Sequence, residues 1–227
     1  MDEFSWKREA ETAWNDRASF WRSRSRDMWE NGSRKDIVPF VEKHVPKGSK
    51  VLDIGCGDGY GSQKLYRSGY TVSGIDLSGE MIAAADRAGE GSISFREGDA
   101  SNLPYEDGSH DAVMAINVLE WTESPLAALR EMKRVLRDDG MVCAGILGPT
   151  AAPRTNSYPR LLGEKVICNT MMPWEFQQLA AEEGLEYMDG FGVFKQGVMD
   201  QHIRSLPLEL KQSLTFMWVF MLQKAGG

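Results

Sequence analysis

The sequence predicts an α/β protein with a mostly parallel sheet covered by helices on both faces. Three observations carry that prediction. Short apolar segments alternate with helical ones from Lys50 to Leu147, the rhythm of strand–helix–strand units. The first, Val51-Leu52-Asp53-Ile54, runs into Gly55-Cys56-Gly57-Asp58-Gly59-Tyr60-Gly61, a glycine turn that lets backbone N–H groups approach a ligand at a helix start. Asp53 places a carboxylate in an apolar strand, which costs free energy unless a cation or a hydrogen-bond donor meets it.

The elements follow in order. Trp6, Trp14, Trp21 and Trp29 recur every seven or eight residues, so the first 35 residues read as amphipathic helices with the tryptophans on one face. Asp36 to His44 is one more helix, stopped near Pro46 and Gly48. Residues 1–48 thus form a helical N-terminal cap, and residues 49–227 the main domain. The first strand starts at Lys50, and Ser62 to Arg67 continues as helix until Gly69. A second strand, Thr71 to Ile75, ends in Asp76, after which Ser78 can cap the helix Gly79 to Arg87. Ile93 to Glu97 is the third strand and Asp111 to Ile116 the fourth, entered through the Asp107-Gly108 turn. Ser124-Pro125 opens a helix with Leu126, Leu129, Met132 and Leu136 at helical spacing, closed by Gly140. Met141 to Leu147 is the fifth strand.

Beyond it, residues 149–172, punctuated by Pro153 and Pro159, read as a long lid-like loop inserted in the domain. Pro173 starts a helix to about Glu183. Glu186 to Phe194 and Leu214 to Leu222 are the last two strands, paired antiparallel, with a short helix near Leu206 to Gln212 between them.

Composition narrows the function. A chain of 227 residues supplies one good-sized core. The formal net charge of -7 gives no global basic field for a nucleic-acid backbone. Arg22, Arg24, Arg26, Arg34 and Lys35 leave open a local anionic contact beside the plainer reading, a solvated helix face. The three cysteines and three histidines are scattered, without the spacing of a metal site, so no metal is expected. With no secretory leader, the thiols read as reduced in a cytoplasmic protein. The apolar run Leu214 to Leu222 is too short to cross a bilayer.

In an open α/β sheet, ligands bind outside the carboxyl ends of the strands. Asp53, Asp76, Asp99 and Asn117 follow the first four strands in turn and converge there. Two cofactor classes compete. A dinucleotide site wants Gly-x-Gly-x-x-Gly, but Tyr60 stands where the third glycine belongs, and the charge of Asp53 would oppose a pyrophosphate. A cationic ligand suits Asp53 better.

Val51 to Gly61, Gly74-Ile75-Asp76-Leu77-Ser78, Gly98-Asp99-Ala100 and Asp111-Ala112-Val113-Met114 resemble the ordered motifs of class I S-adenosylmethionine-dependent methyltransferases. The likeness is to the small-molecule branch of ubiquinone and menaquinone methyltransferase-like proteins and covers Lys50 to Leu147. It implies a Rossmann-like, seven-stranded, mostly parallel sheet with a reversed last strand. It also implies S-adenosylmethionine as cofactor and S-adenosylhomocysteine as product. Asp53 and the Gly55, Cys56 and Gly57 backbone would face the methionine moiety, with Cys56 serving as a small turn residue. Asp76 would accept both ribose hydroxyls, Leu77 and Met81 would flank the adenine, and Asp99 with the Ala100 N–H would read its amino edge.

The acceptor is less defined. Glu120, Tyr158 and His202 are candidate bases, and Trp14, Trp21, Tyr158 and Trp174 candidate walls of an apolar or aromatic acceptor pocket. Members of the branch often carry Leu-x-His after the fourth strand, where this chain has Leu119-Glu120-Trp121. No Asn/Asp-Pro-Pro-Tyr/Phe segment is present, which argues against methylation of exocyclic base amines. The expected activity is methyl transfer to a small organic acceptor, at oxygen or carbon ahead of nitrogen, by a monomer or homodimer. An RNA acceptor such as tRNA, and a non-catalytic cofactor-binding module, are the alternatives.

Overall fold

The computed structural model describes residues 4–89 and 91–226, so the first three residues of the N-terminal cap lie outside the described part. Seven strands form one sheet in the order β3-β2-β1-β4-β5-β7-β6. β1 (Lys50–Ile54), β2 (Thr71–Asp76), β3 (Ser94–Glu97), β4 (His110–Ile116) and β5 (Leu136–Leu147) pair parallel, whereas β7 (Thr215–Lys224) runs antiparallel to both β5 and β6 (Leu185–Phe194). The expected sheet with one reversed strand is therefore present. β7 lies between β5 and β6 because a hairpin-like return from β6 fills the slot beside β5.

Strand alternation explains the two cores. Val51, Val72, Ala112, Met114, Ile116, Met217 and Val219 point to one face, where they meet α2 (Ile37–His44), α3 (Tyr60–Arg67) and α4 (Gly79–Gly89). Leu52, Ile54, Val113, Ala115, Val142, Ala144, Trp218 and Phe220 point to the other, against α5 (Pro125–Val135) and α6 (Pro173–Glu182). Central strands apolar on both faces are what a sheet buried between helices requires. α1 (Trp6–Glu30) is one 25-residue helix, in place of the several helices expected.

Two further differences have physical causes. The helix expected to run to Gly140 ends at Val135, because Leu136 takes extended angles and pairs with His110, and Asp139 turns the strand at φ 61° before Met141 resumes the ladder beside Ala112. The periodic Leu136 belongs to the core as a strand residue. The expected loop at 149–172 contains a 3₁₀ helix, Ala152–Leu162. Buried Arg154 ties it to the sheet by donating to the Gly148 and Met171 carbonyls at 2.8 and 2.6 Å and also to that of Leu147. A further short helix, α7 (Asp200–Ile203), precedes the one expected near Leu206 to Gln212, which is α8 (Leu208–Ser213). Among the described residues no helix is long and apolar enough to cross a membrane.

Candidate functional site

The carboxyl ends of β1, β2 and β4 open into a cavity of about 370 Å³ roofed by α1. Its floor starts with the glycine turn. Gly55 adopts φ 66°, and a Cβ there would stand 2.3 Å from Val118 Cγ2, so glycine alone lets the turn pass under the β4 loop. Gly57 follows at φ 56° and donates its N–H to Asp76 Oδ2 at 2.9 Å. Ser78 N–H donates to Asp76 Oδ1, also at 2.9 Å. Burial raises the Asp76 carboxyl above its usual range, while these N–H groups pull it back. Each oxygen keeps lone-pair capacity for a further donor.

Most of the cofactor residues expected from sequence meet here. Gly55, Cys56, Gly57, Asp76, Leu77, Met81, Asp99, Ala100 and Asn117 all line the cavity. Asp99 accepts the Ser101 N–H at 2.8 Å, a local turn that presents the Ala100 backbone. Asn117 takes a left-handed φ of 57° as its N–H donates to Gly145 O at 2.8 Å, which directs the chain after β4 along the cavity. Cys56 is buried, and burial pushes its thiol well above the usual range, consistent with a packing role.

Asp53 is placed differently from the expectation. It is 4% exposed and absent from the cavity lining, beneath the glycine turn, where the Ser62 hydroxyl donates to its Oδ2 at 2.6 Å. The donor the sequence called for is thus a serine one turn into α3. Burial pushes the Asp53 carboxyl up to about 7, against the pull of Ser62 and of the Arg34 charge. The acidic side chain that does line this end is Asp58, whose Oδ1 accepts from Ser25 of α1 at 2.7 Å.

The candidate bases do not reach the cavity. Glu120 is fully buried, accepts the Leu147 N–H and sits behind the wall; Tyr158 is 59% exposed; His202 lies in α7, accepting the Met199 N–H at 3.1 Å. Glu120 is buried because its carboxylate ties the β4 loop to the end of β5, a backbone demand that sequence alone does not reveal. Trp174, a half-buried residue of α6, is also absent from the lining, whereas Trp14 and Trp21 contribute to it.

Sequence reasoning missed four contributors. Trp121 sits edge-on to Trp14 with centroids 5.4 Å apart, and Phe216 joins them. Trp6 also lines the cavity and donates its indole N–H to Trp121 O at 2.7 Å; its place on the tryptophan face was the available signal. Arg34, grouped with the basic run, turns into the cavity. Its guanidinium makes no hydrogen bond or ion pair among the described residues and lies 5.6 Å from the Trp29 ring centroid. Burial lowers its pKa despite attraction from Asp53, Asp58 and Glu120, so it is a cation in need of an anion.

The donor set fits S-adenosylmethionine. Asp76 suits vicinal hydroxyls, Leu77 and Met81 an adenine, and Arg34 a carboxylate, and the buried indole N–H of Trp21 in the same cavity has no partner among the described residues. Among the described residues no cluster of metal-ligating side chains occurs.

Comparison with known proteins agrees. Residues 52–144 match the family described as Methyltransferase domain. Malonyl-[acyl-carrier protein] O-methyltransferase of Pectobacterium atrosepticum is 36% identical over 158 residues, 65% of this chain and 62% of that protein. The chain therefore spans less than two thirds of that relative's length. Among solved structures, the Haloferax volcanii complex between the Trm112 methyltransferase activator and a methyltransferase gives a TM-score of 0.72 at 20% identity, covering 97% of this chain and 98% of that one. A Methanosarcina mazei S-adenosylmethionine-dependent methyltransferase gives 0.67 at 20% identity, covering 83% and 98%. Residues 52–144 thus match a methyltransferase domain, and the fold around them is shared with solved S-adenosylmethionine-dependent methyltransferases.

Proposed function

We propose that this chain transfers the methyl group of S-adenosylmethionine to a small organic acceptor with an apolar or aromatic body, at oxygen ahead of carbon or nitrogen. One observation carries the reading: a single cavity joins the polar groups Asp76, Asp99 and Arg34 to an aromatic wall of Trp6, Trp14, Trp21, Trp121 and Phe216. The O-methyltransferase relative supports oxygen as the receiving atom. Arg34 lines this cavity while Arg22, Arg24 and Arg26 are exposed on α1, and the formal net charge of -7 weighs against the RNA alternative.

The cofactor, when bound, supplies a methyl carbon activated by its sulfonium sulfur. The chain's own residues bind and align. Asp76 takes the ribose hydroxyls, Asp99 and the Ala100 N–H read the adenine, and Leu77 and Met81 pack on it. Arg34 takes the α-carboxylate. Asp53 is near enough to the glycine turn for its charge to favour the cationic methionine end without touching it. The tryptophans hold the acceptor and exclude water, which is the main demand of a displacement whose donor is already activated. Three cysteines, all buried and unpaired, fit a reducing cytoplasm.

The test is incubation with methyl-labelled S-adenosylmethionine and a metabolite extract, followed by identification of the labelled product. A labelled small molecule is expected. Label in RNA alone, or cofactor binding with no transfer to anything, would turn the reading toward one of the alternatives.

A further inference from the structure

The 3₁₀ segment beside the cavity carries an unusual surface. Leu161 and Leu162 are each 67% exposed and Tyr158 is 59% exposed, more than any other large apolar side chain among the described residues. Gly163 reverses the chain at φ 84°, and residues 160–165 are all exposed, so the two leucines stand on a projecting tip with no walls around them. Arg160 and Lys165 flank them. Arg160 Nη1 donates to Ser157 O at 3.2 Å, and the Lys165 amine lies 5.2 Å from the Phe4 ring centroid, which holds both cations at the tip. Glu164 is the one acidic side chain among residues 158–165. The base of the tip is fixed, through Arg154 to the end of β5 and through Arg17 Nη2 to Asn156 Oδ1 at 3.3 Å.

We infer that this tip docks on an anionic lipid surface. Leu161, Leu162 and Tyr158 enter the boundary between headgroups and acyl chains, and Arg160 and Lys165 meet lipid phosphates. Adjacent leucines left in water have no stabilising role in the folded chain. A projecting apolar tip flanked by cations matches a bilayer interface, which yields around an inserted side chain and attracts basic residues. A protein partner would have to supply the whole concave half of such a contact. Pro153 of the same segment lines the cavity, so docking would hold the acceptor site close to the bilayer.

The experiment is co-sedimentation of the full chain with vesicles of phosphatidylcholine alone and of phosphatidylcholine mixed with phosphatidylglycerol. Binding to the mixed vesicles is expected, weakened by added salt. The double variant Leu161→Asp, Leu162→Asp should lower partitioning by about tenfold or more, and Arg160→Glu by about fivefold or more. Both variants should keep wild-type affinity for S-adenosylmethionine, which shows that the fold and the cavity survive. Absence of binding to either vesicle, or equal partitioning of wild type and the leucine variant, overturns the inference. So does a dimer in sedimentation velocity that the leucine variant dissolves, since a second copy would then cover the tip.

Discussion

The Ser78 hydroxyl donates to Asn15 Oδ1 at 2.6 Å, joining the helix that roofs the cavity to the loop that carries Asp76. The same hydroxyl oxygen accepts the Met81 N–H at 3.1 Å and so caps α4. Ser25 and Asp58 make the corresponding tie at the glycine turn. The roof is thus fastened to the two loops that would hold the cofactor. Asn15 Oδ1 also accepts the Glu80 N–H at 3.4 Å, and Asn15→Ala removes this fastening at about 0.5–1.5 kcal/mol per hydrogen bond. The expected outcome is faster release of S-adenosylhomocysteine, by roughly two- to tenfold. Stopped-flow tryptophan fluorescence measures it, and an unchanged release rate would mean that α1 does not move during exchange.

Asp76 is the side chain on which the ribose assignment rests. Asp76→Ala should weaken S-adenosylmethionine binding by about 1.5–3 kcal/mol, or about ten- to two-hundred-fold, the range for hydrogen bonds to a charged group. The carboxylate also accepts the Gly57 and Ser78 N–H groups, so Asp76→Asn separates the roles. Its one carbonyl oxygen can keep one of those bonds, and affinity should fall between wild type and alanine. Calorimetry on folded variants decides; wild-type affinity in Asp76→Ala would remove the assignment.

Arg34 should show opposite signs in stability and in binding. Desolvation lowers its pKa in spite of attraction from three carboxylates, and the half-buried side chain faces the cavity without an ion pair among the described residues. Arg34→Met keeps much of the apolar stem and deletes the charge. The melting temperature is expected to hold or rise, while S-adenosylmethionine affinity falls by about ten- to a hundred-fold. A scan of thermal stability with and without ligand reads both. A variant that loses stability but not affinity would make Arg34 a structural residue.

How much of this was legible in the sequence follows from the range of the interactions. Strand alternation and the glycine turn are local patterns, and they located Asp76, Leu77, Met81 and Asp99 because each sits within a few residues of a strand end. Asp53 was singled out for the right reason, an expensive carboxylate, yet its donor Ser62 is reached only through the turn of α3. Glu120 looked like a base because it follows β4, but its partner is the Leu147 N–H, 27 positions on. Trp121, Phe216 and Arg34 come to the cavity from three separate elements. Their convergence is set by how α1 and β7 pack, which no spacing in the chain records. Leu136 shows the same limit within one element, since helical periodicity and strand pairing both accept a leucine there.

The buried Asp53 makes a prediction about pH. Its carboxyl is pushed up to about 7 by burial, from about 3.9 in an unfolded chain. Between those values the folded protein binds more protons than the unfolded one, so stability falls as pH rises through this window and levels off above 7. The contribution is up to about 4 kcal/mol at one pKa unit per 1.36 kcal/mol. Asp53→Asn should therefore melt at a higher temperature than wild type at pH 8 and show a smaller or no advantage at pH 5. Binding runs the other way. A sulfonium and an ammonium favour the ionised carboxylate, so wild-type affinity for S-adenosylmethionine should increase from pH 5.5 to pH 8. Proton release on binding, seen as a dependence of the calorimetric heat on buffer ionisation enthalpy, should peak near pH 7. In Asp53→Asn both the rise and the proton release should be lost. A wild-type affinity that stays flat across the window would mean that Asp53 stays protonated with ligand bound, leaving Asp58 as the acidic partner of the methionine end.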